Sequence, residues 1–358
     1  MNINNIFISF ILAVLIFTLR TYFMYYKMEM NKDSLIRISD SLSEKINVYV
    51  SDQVFCQLTN DSRGFLVLKK DDSPNRNKLC NLLIYNYLDQ YISQINKCAE
   101  DTYSLLEKTS MQSEWSSIKT LSRQIAYQNL VTVTSDQGRV NKTLSLKIDN
   151  SKKTKILEAL SNNLEDVDLS VFFRGLFQSY LRLPVYQREQ VIFADRMAIL
   201  NKAIKEEVSV SYKNASTHKQ NSFFPKLIQH SQHEYFNYAI GQFDNAHHGI
   251  GAIRIANMNE LYVSQKPAVF SDNINEIIKK MQRNGVQFSY RNNEKSNYIV
   301  TLTKDGFDNY KRRYLERPEP ISSPVANADG SVTLKFDCSE FQLKAYFMPF
   351  GDNILELR

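Results

Sequence analysis

The chain has 358 residues, 43% hydrophobic and 23% charged, which is apolar enough to fold and too long for one ordinary core, so two or three domains are expected. Ten glycines and eight prolines exclude a fibrous or loop-dominated protein, and a net charge of +6 gives only a mild lean towards polyanions. The 20 tyrosines and 21 phenylalanines suit core packing and, where exposed, stacking on unpaired bases.

Residues 1–30 hold an almost unbroken apolar run from Ile6 to Leu19. As a helix it would span about 21 Å, short of a bilayer core of about 30 Å. The leading Met-Asn-Ile-Asn-Asn carries no positive side chain, and no small-x-small cleavage site follows, unlike a secretory signal. Two readings stay open. One is a membrane anchor, with Arg20, Lys27, Lys32 and Arg37 holding the rest in the cytoplasm. The other is an upstream-start extension, with initiation at Met28 or Met30. Cys56, Cys80, Cys98 and Cys338 have no C-x-x-C spacing and read as reduced thiols of a cytoplasmic protein.

Residues 33–98 read as a strand followed by two helices. Ile46, Val48 and Val50 alternate with Asn47 and Tyr49, the period of a half-buried strand. A helix over 52–60 follows, and the polar turn ending at Pro74 precedes a longer helix over 75–96, with Leu79, Leu83, Tyr87, Tyr91 and Ile95 on its apolar stripe. Residues 99–141 read as a helical linker. Residues 142–185 repeat the order, with a strand over 144–148 and helices over 151–162 and 171–183. Ser170 is placed to cap the second of these helices, and Pro184 ends it.

Strand–helix–helix occurring twice resembles the ribbon-helix-helix family, most closely in Leu144 to Ile148 and the Leu169-Ser170-Val171-Phe172-Phe173-Arg174 opening of the last helix. In that family paired antiparallel ribbons read base edges, and the last helix grips a phosphate at its N-terminus. The resemblance implies that Asn47, Tyr49, Ser145 and Lys147 face bases and that Ser170 sits at the phosphate clamp. The alternative is that one or both copies only dimerise. Two ribbons in one chain could also pair with each other.

Residues 186–262 change character. One or two helices over 187–206 lead into short strands at 208–212, 223–227, 235–240 and 250–255, the pattern of a small, strongly bent sheet or barrel. A helix running into Val208-x-Val210-x-Tyr212, then Pro225, Tyr235-Phe236-Asn237-Tyr238-Ala239-Ile240-Gly241 and Ile253-Arg254-Ile255-Ala256-Asn257-Met258, resembles the WYL domain family, whose core is Sm- or SH3-like. The Trp-Tyr-Leu signature falls on Asn237-Tyr238-Ala239, and Asn257 stands where a second arginine is expected. The resemblance implies a basic and polar pocket for nucleic acid or a nucleotide-like ligand, with Tyr212, Tyr238 and Arg254 on one concave surface. The alternative makes both tyrosines core aromatics and Arg254 half of a structural ion pair. Residues 263–358 read as a C-terminal α/β extension: helix 272–283, strand 298–302, helix 304–314 ending in Lys311-Arg312-Arg313, a Pro-rich linker, strand 332–336, helix 338–347 and strand 354–357. The class expected for the whole chain is multidomain α+β.

No enzyme motif emerges. His230, His233, His247 and His248 cluster without zinc-ligand spacing, and Gly249-Ile250-Gly251 lacks the helix of a dinucleotide loop. No phosphate loop and no nucleophile elbow occur, so no catalytic residue, metal or cofactor is nominated. Ribbon-helix-helix elements joined to a WYL domain resemble the accessory proteins encoded beside type VI-D CRISPR effectors. That resemblance implies a non-enzymatic cytoplasmic protein, expected as a homodimer, which binds single-stranded RNA and stimulates an RNA-guided RNase. The competing reading is a dimeric DNA-binding transcription regulator whose WYL domain senses a nucleotide or nucleic acid. A membrane-tethered adaptor is a third, if residues 1–30 are genuine.

Overall fold

The computed structural model describes residues 46–108, 115–132, 140–146, 148, 153, 156, 169–232, 234–244, 249–291 and 294–358. The apolar segment 1–30, Lys147, His233, His247, His248 and nearly all of the helix expected over 151–162 lie outside them. The chain divides between Arg182 and Leu183 into two compact units. It is a mixed α+β protein built on antiparallel sheets.

In the first unit the period-two pattern becomes β1 (Ile46–Ser51). Ser51 ends the strand and starts α1 (Asp52–Gly64), because its hydroxyl accepts from the Val54 amide at 3.3 Å. Asn75 caps α2 (Arg76–Glu107) in the same way through Lys78. This helix passes straight through the boundary expected at residue 98. Its buried stripe of Leu83, Tyr87, Tyr91 and Ile95 continues to Ala99, and no glycine or proline interrupts it. Next come α3 (Trp115–Tyr127) with a π-helical turn (Gln128–Thr132), β2 (Val140–Leu146) and α4 (Leu169–Leu181). The second strand thus begins four residues earlier than its alternation suggests.

The strands β1 and β2 pair antiparallel with each other, Ile46 opposite Leu146 and Val48 opposite Leu144. Those four side chains are buried, as is Val50. The helix α4 packs on β1 and on α2, with Phe172, Phe173, Leu176 and Phe177 buried and the Phe172 ring 5.5 Å from that of buried Tyr91. Each such side chain removed from water contributes about 1.5–3 kcal/mol. One polar triangle sits in that interface: the Tyr87 and Ser179 hydroxyls lie 3.0 Å apart, and Gln94 bonds to both.

The second unit opens with α5 (Val185–Ile192) and α6 (Ala194–Glu206), broken at Phe193. Glu207 in the left-handed region turns the chain into β3 (Val208–Asn214). Then follow β4 (Gln220–His230), β5 (Asn237–Phe243), β6 (Ile250–Arg254), a 3-10 turn (Ile255–Asn257) and β7 (Met258–Pro267). They form one antiparallel sheet in the order β6-β5-β4-β3-β7. In a flat sheet the two edges would lie about 19 Å apart. The 3-10 turn joins them in three residues, roughly 6 Å of chain. The sheet is therefore rolled until its edges nearly meet. Arg196 of α6 fixes the crossover by donating to the Ile255 and Ala256 carbonyls at 2.9 and 3.0 Å and to Asn259 at 2.8 Å.

Close approach within the rolled sheet explains its sequence breaks. Pro225 sits at a bulge between β4 and β5. Gly241 pairs with Gly251 across β5 and β6. A Cβ on Gly241 would overlap the Phe224 carbonyl oxygen, and one on Gly251 would overlap the Ser289 side chain. Gly251 is thus a packing glycine.

The chain continues as α7 (Ile274–Asn284), β8 (Asn297–Leu302), α8 (Lys304–Arg312), β9 (Val325–Ala326), β10 (Val332–Asp337), α9 (Glu340–Phe347), a 3-10 segment (Met348–Asn353) and β11 (Ile354–Leu357). The second sheet runs β11-β8-β10-β9 over a core of Val300, Leu302, Tyr310, Phe336, Tyr346 and Phe347. The Asn284 amide donates to the Asp337 carbonyl at 2.8 Å, and the Gln342 amide donates to the Asn284 carbonyl at 2.7 Å, which ties α7 to this sheet.

Replacing Gly241 by alanine forces β4 and β5 apart at their bulge. The expected result is a loss of about 2–4 kcal/mol in the second unit. Hydrogen exchange should show lost protection over 223–243 and unchanged protection in α2; protection equal to wild type in both would contradict the packing described.

Candidate nucleic-acid interface

The outer face of the two-stranded sheet carries Asn47, Tyr49, Thr143 and Ser145, in register as Asn47 opposite Ser145 and Tyr49 opposite Thr143. The Ser145 hydroxyl donates to Asn47 Oδ1 at 2.7 Å. Asn47 and Tyr49 are exposed and Ser145 is half-buried. Three of the four residues expected to face bases thus share one surface; the fourth, Lys147, is outside the described residues. Ser170 departs from expectation. Leu169 is already helical, so the hydroxyl lies inside the first turn of α4 and not ahead of it. Ser170 Oγ accepts from the Tyr49 amide at 3.2 Å, joining the helix start to the free edge of β1.

In the second unit Tyr238 and Arg254 are partners across β5 and β6, so their side chains share a face. The Arg254 guanidinium lies 3.3 Å from the centroid of the Phe236 ring, and its Nε is 3.6 Å from Glu189 Oε1. Glu189 comes from α5 and is fully buried. Its other oxygen accepts from the Asn237 backbone amide at 2.5 Å and the Asn237 side-chain amide at 2.8 Å. Burial pushes the Glu189 carboxyl above its ordinary range, opposed by the Asn237 bonds and by Arg254. The Tyr238 phenol donates to Glu234, and burial pushes its pKa up as well. Arg254 retains one-fifth of its side-chain surface in solvent. A planar cation held over a ring has the chemistry to bind a phosphate or carboxylate.

Tyr212 does not join them. The β3–β4–β5 register places Val210 opposite Phe223 and Phe223 opposite Phe243. Tyr212, two residues beyond Val210, therefore shares the Phe243 face, whereas Tyr238 lies on the alternate face with Ile240 and Gln242. The expected concave surface common to all three residues does not form. Tyr212 is buried on its own face, its phenol pushed up to about 12 by burial.

Sequence reasoning missed Glu189, Phe236, Glu234 and Arg196. Glu189 had a readable signal, a carboxylate on the apolar stripe Val185, Glu189, Ile192 of a short helix. Phe236 and Glu234 had none, since only the folded hairpin brings Phe236 beside Arg254 and Glu234 beside the Tyr238 phenol. Among the described residues no cluster of three His, Cys, Asp or Glu could hold a metal ion, and no helix is long and apolar enough to cross a membrane. The Tyr186 ring stacks on the His230 ring, with centroids 4.3 Å apart.

By sequence the chain matches no known family profile and no curated protein. Among solved structures it is similar to the crystal structure of a CRISPR Cas-related protein, with TM-score 0.61 and 17% identity over 87% of this chain and 89% of that one. This likeness shows a shared fold. Proteasome accessory factor B/C (PafBC) of Arthrobacter aurescens aligns with TM-score 0.25 and 14% identity over 66% of this chain and 33% of that chain, too loosely to support an argument.

The buried Glu189 carboxylate predicts a pH signature for Arg254→Gln. Glu189 binds its proton more tightly folded than unfolded, so its contribution is full below the unfolded value of about 4.3 and is lost as pH rises through the higher folded value. Arg254 limits that loss. Without it the variant should be destabilised by about 3 kcal/mol at alkaline pH and by clearly less near pH ~5. Denaturant midpoints at both pH values check this; a pH-independent difference would rule it out.

Proposed function

We propose that this chain is a non-enzymatic CRISPR-associated accessory protein that binds single-stranded RNA in the cytoplasm and stimulates a type VI-D RNA-guided RNase. The observation that carries the reading is the likeness, across 87% of the chain, to a CRISPR Cas-related protein. The first unit supports it with an antiparallel ribbon whose outer face is polar and aromatic, Asn47, Tyr49, Thr143 and Ser145, as the ribbon-helix-helix resemblance requires. The rolled sheet supports the WYL resemblance and holds Arg254 over the Phe236 ring. On this reading Arg254 is the phosphate contact of the second unit, Tyr238 fixes the strand beside it, and Tyr212 is a core residue. The homodimer expected from the family belongs to the same proposal.

The transcription-regulator reading is weakened by the ribbon itself. Two-copy ribbons read palindromic half-sites because each subunit supplies one strand. Here both strands come from one chain. Electrophoretic shifts with an unstructured RNA strand and with palindromic duplex DNA separate the two. Tighter duplex binding with ordered half-site protection would overturn the accessory reading.

Arg254 is tested without leaving a charge buried alone by combining Arg254→Ala with Glu189→Gln. The double variant should bind RNA more weakly, with the salt slope reduced by about 0.7. Glu189→Gln alone removes the carboxylate that competes for the guanidinium and should tighten binding by about threefold to fivefold. Wild-type affinity in both would remove Arg254 from the interface.

A further inference from the structure

The turn after α8 is held from beneath by core side chains. The Tyr346 hydroxyl donates to the Arg313 carbonyl, Gln342 Nε2 to the Glu316 carbonyl at 3.2 Å, and the Tyr310 hydroxyl to the Pro318 carbonyl at 3.0 Å. All three donors are buried. Glu316 adopts a positive φ of 58°, which closes the turn, and the Arg317 amide donates to the Tyr314 carbonyl at 3.4 Å. An exposed loop would ordinarily leave these carbonyls to water. Here buried groups fix its backbone.

What the turn presents is cationic. The Arg313 guanidinium lies 5.2 Å from the centre of the Tyr346 ring, and the Arg317 guanidinium 5.2 Å from that of Tyr310. Those two rings are 6.0 Å apart and nearly perpendicular, so two cations are held on neighbouring supports. Arg312 is exposed beside them. Among the described residues none of these three arginines forms an ion pair, whereas Lys311 pairs with Asp308 at 2.6 Å. At the crest Tyr314 is 75% exposed. Arg317 Nη1 also lies 3.5 Å from the Tyr310 and Lys311 carbonyls, and Glu316 and Glu319 flank Arg317, but Lys311, Arg312, Arg313 and Arg317 leave the turn an excess of positive charge, which costs free energy that a polyanion relieves.

We propose that Arg312, Arg313, Tyr314 and Arg317 form a further contact site for single-stranded nucleic acid, separate from the ribbon and from Arg254. The site rests on the reading that this chain binds single-stranded RNA. The guanidiniums take successive phosphates, and the open Tyr314 ring stacks on an unpaired base. A duplex would use the charges and leave the ring idle. An acidic protein would use the charges as well, and it has no need of a bare aromatic face at their centre.

The experiment measures binding of the full chain to labelled oligouridylate over a salt series. Tyr314→Ala removes a ring that supports no core and should weaken binding about tenfold at unchanged salt slope. Arg312→Ala with Arg317→Ala should weaken it and lower the slope by about 1.4. Tyr314→Ala should leave binding to blunt duplex RNA unchanged. Wild-type affinity and slope in both variants, with RNA still bound by the parent, would overturn this site and leave the proposed function standing. No RNA binding by the parent would overturn both. Variants that bind RNA normally but lose retention on immobilised polyglutamate would assign the turn to an acidic protein instead.

Discussion

A carboxylate taken wholly out of water must be met by donors and by a counter-charge, and the arrangement around Glu189 follows from that requirement. Its two oxygens reach in different directions. One takes both amides of Asn237 at the start of β5, and the other faces Arg254 at the end of β6. The short helix α5 is thereby tied to two adjacent strands through one side chain. The same pairing helps to place Arg254: its guanidinium sits over Phe236 while its Nε faces the buried acid.

Direct pairing of β5 with β6 makes that arrangement geometrically available, because Tyr238, next to Asn237, lies opposite Arg254. Arg254 ends β6, the Arg196-held turn follows, and the chain crosses to the opposite edge. The glycines at 241 and 251 answer close contacts of their own: the Phe224 carbonyl of the neighbouring strand stands where a Cβ on Gly241 would go, and the Ser289 and Phe243 side chains stand at Gly251.

The parts governed by local periodicity were legible in the sequence. Alternation located β1, and the strands and helices after residue 297 lie close to where hydrophobic spacing puts them. The start of β2 was obscured because Val140 to Thr143 carry no clean alternation. The site was half legible. Tyr238 and Arg254 come together as two strands that pair, but strand parity puts Tyr212 on the other side, and parity across a bulged sheet depends on registers that no local pattern encodes. Ser170 looked like a cap because its residue type favours caps; its hydroxyl instead serves a strand more than a hundred positions away in sequence.

Pairing β1 with β2 inside one polypeptide has a consequence for how this surface can change. When two identical copies build a ribbon, any substitution appears twice, related by the dyad, and partner strands cannot diverge. Here Asn47 faces Ser145 and Tyr49 faces Thr143, so the surface is already asymmetric and each half can drift alone. The ribbon also closes intramolecularly, which makes its formation a first-order event that dilution does not oppose.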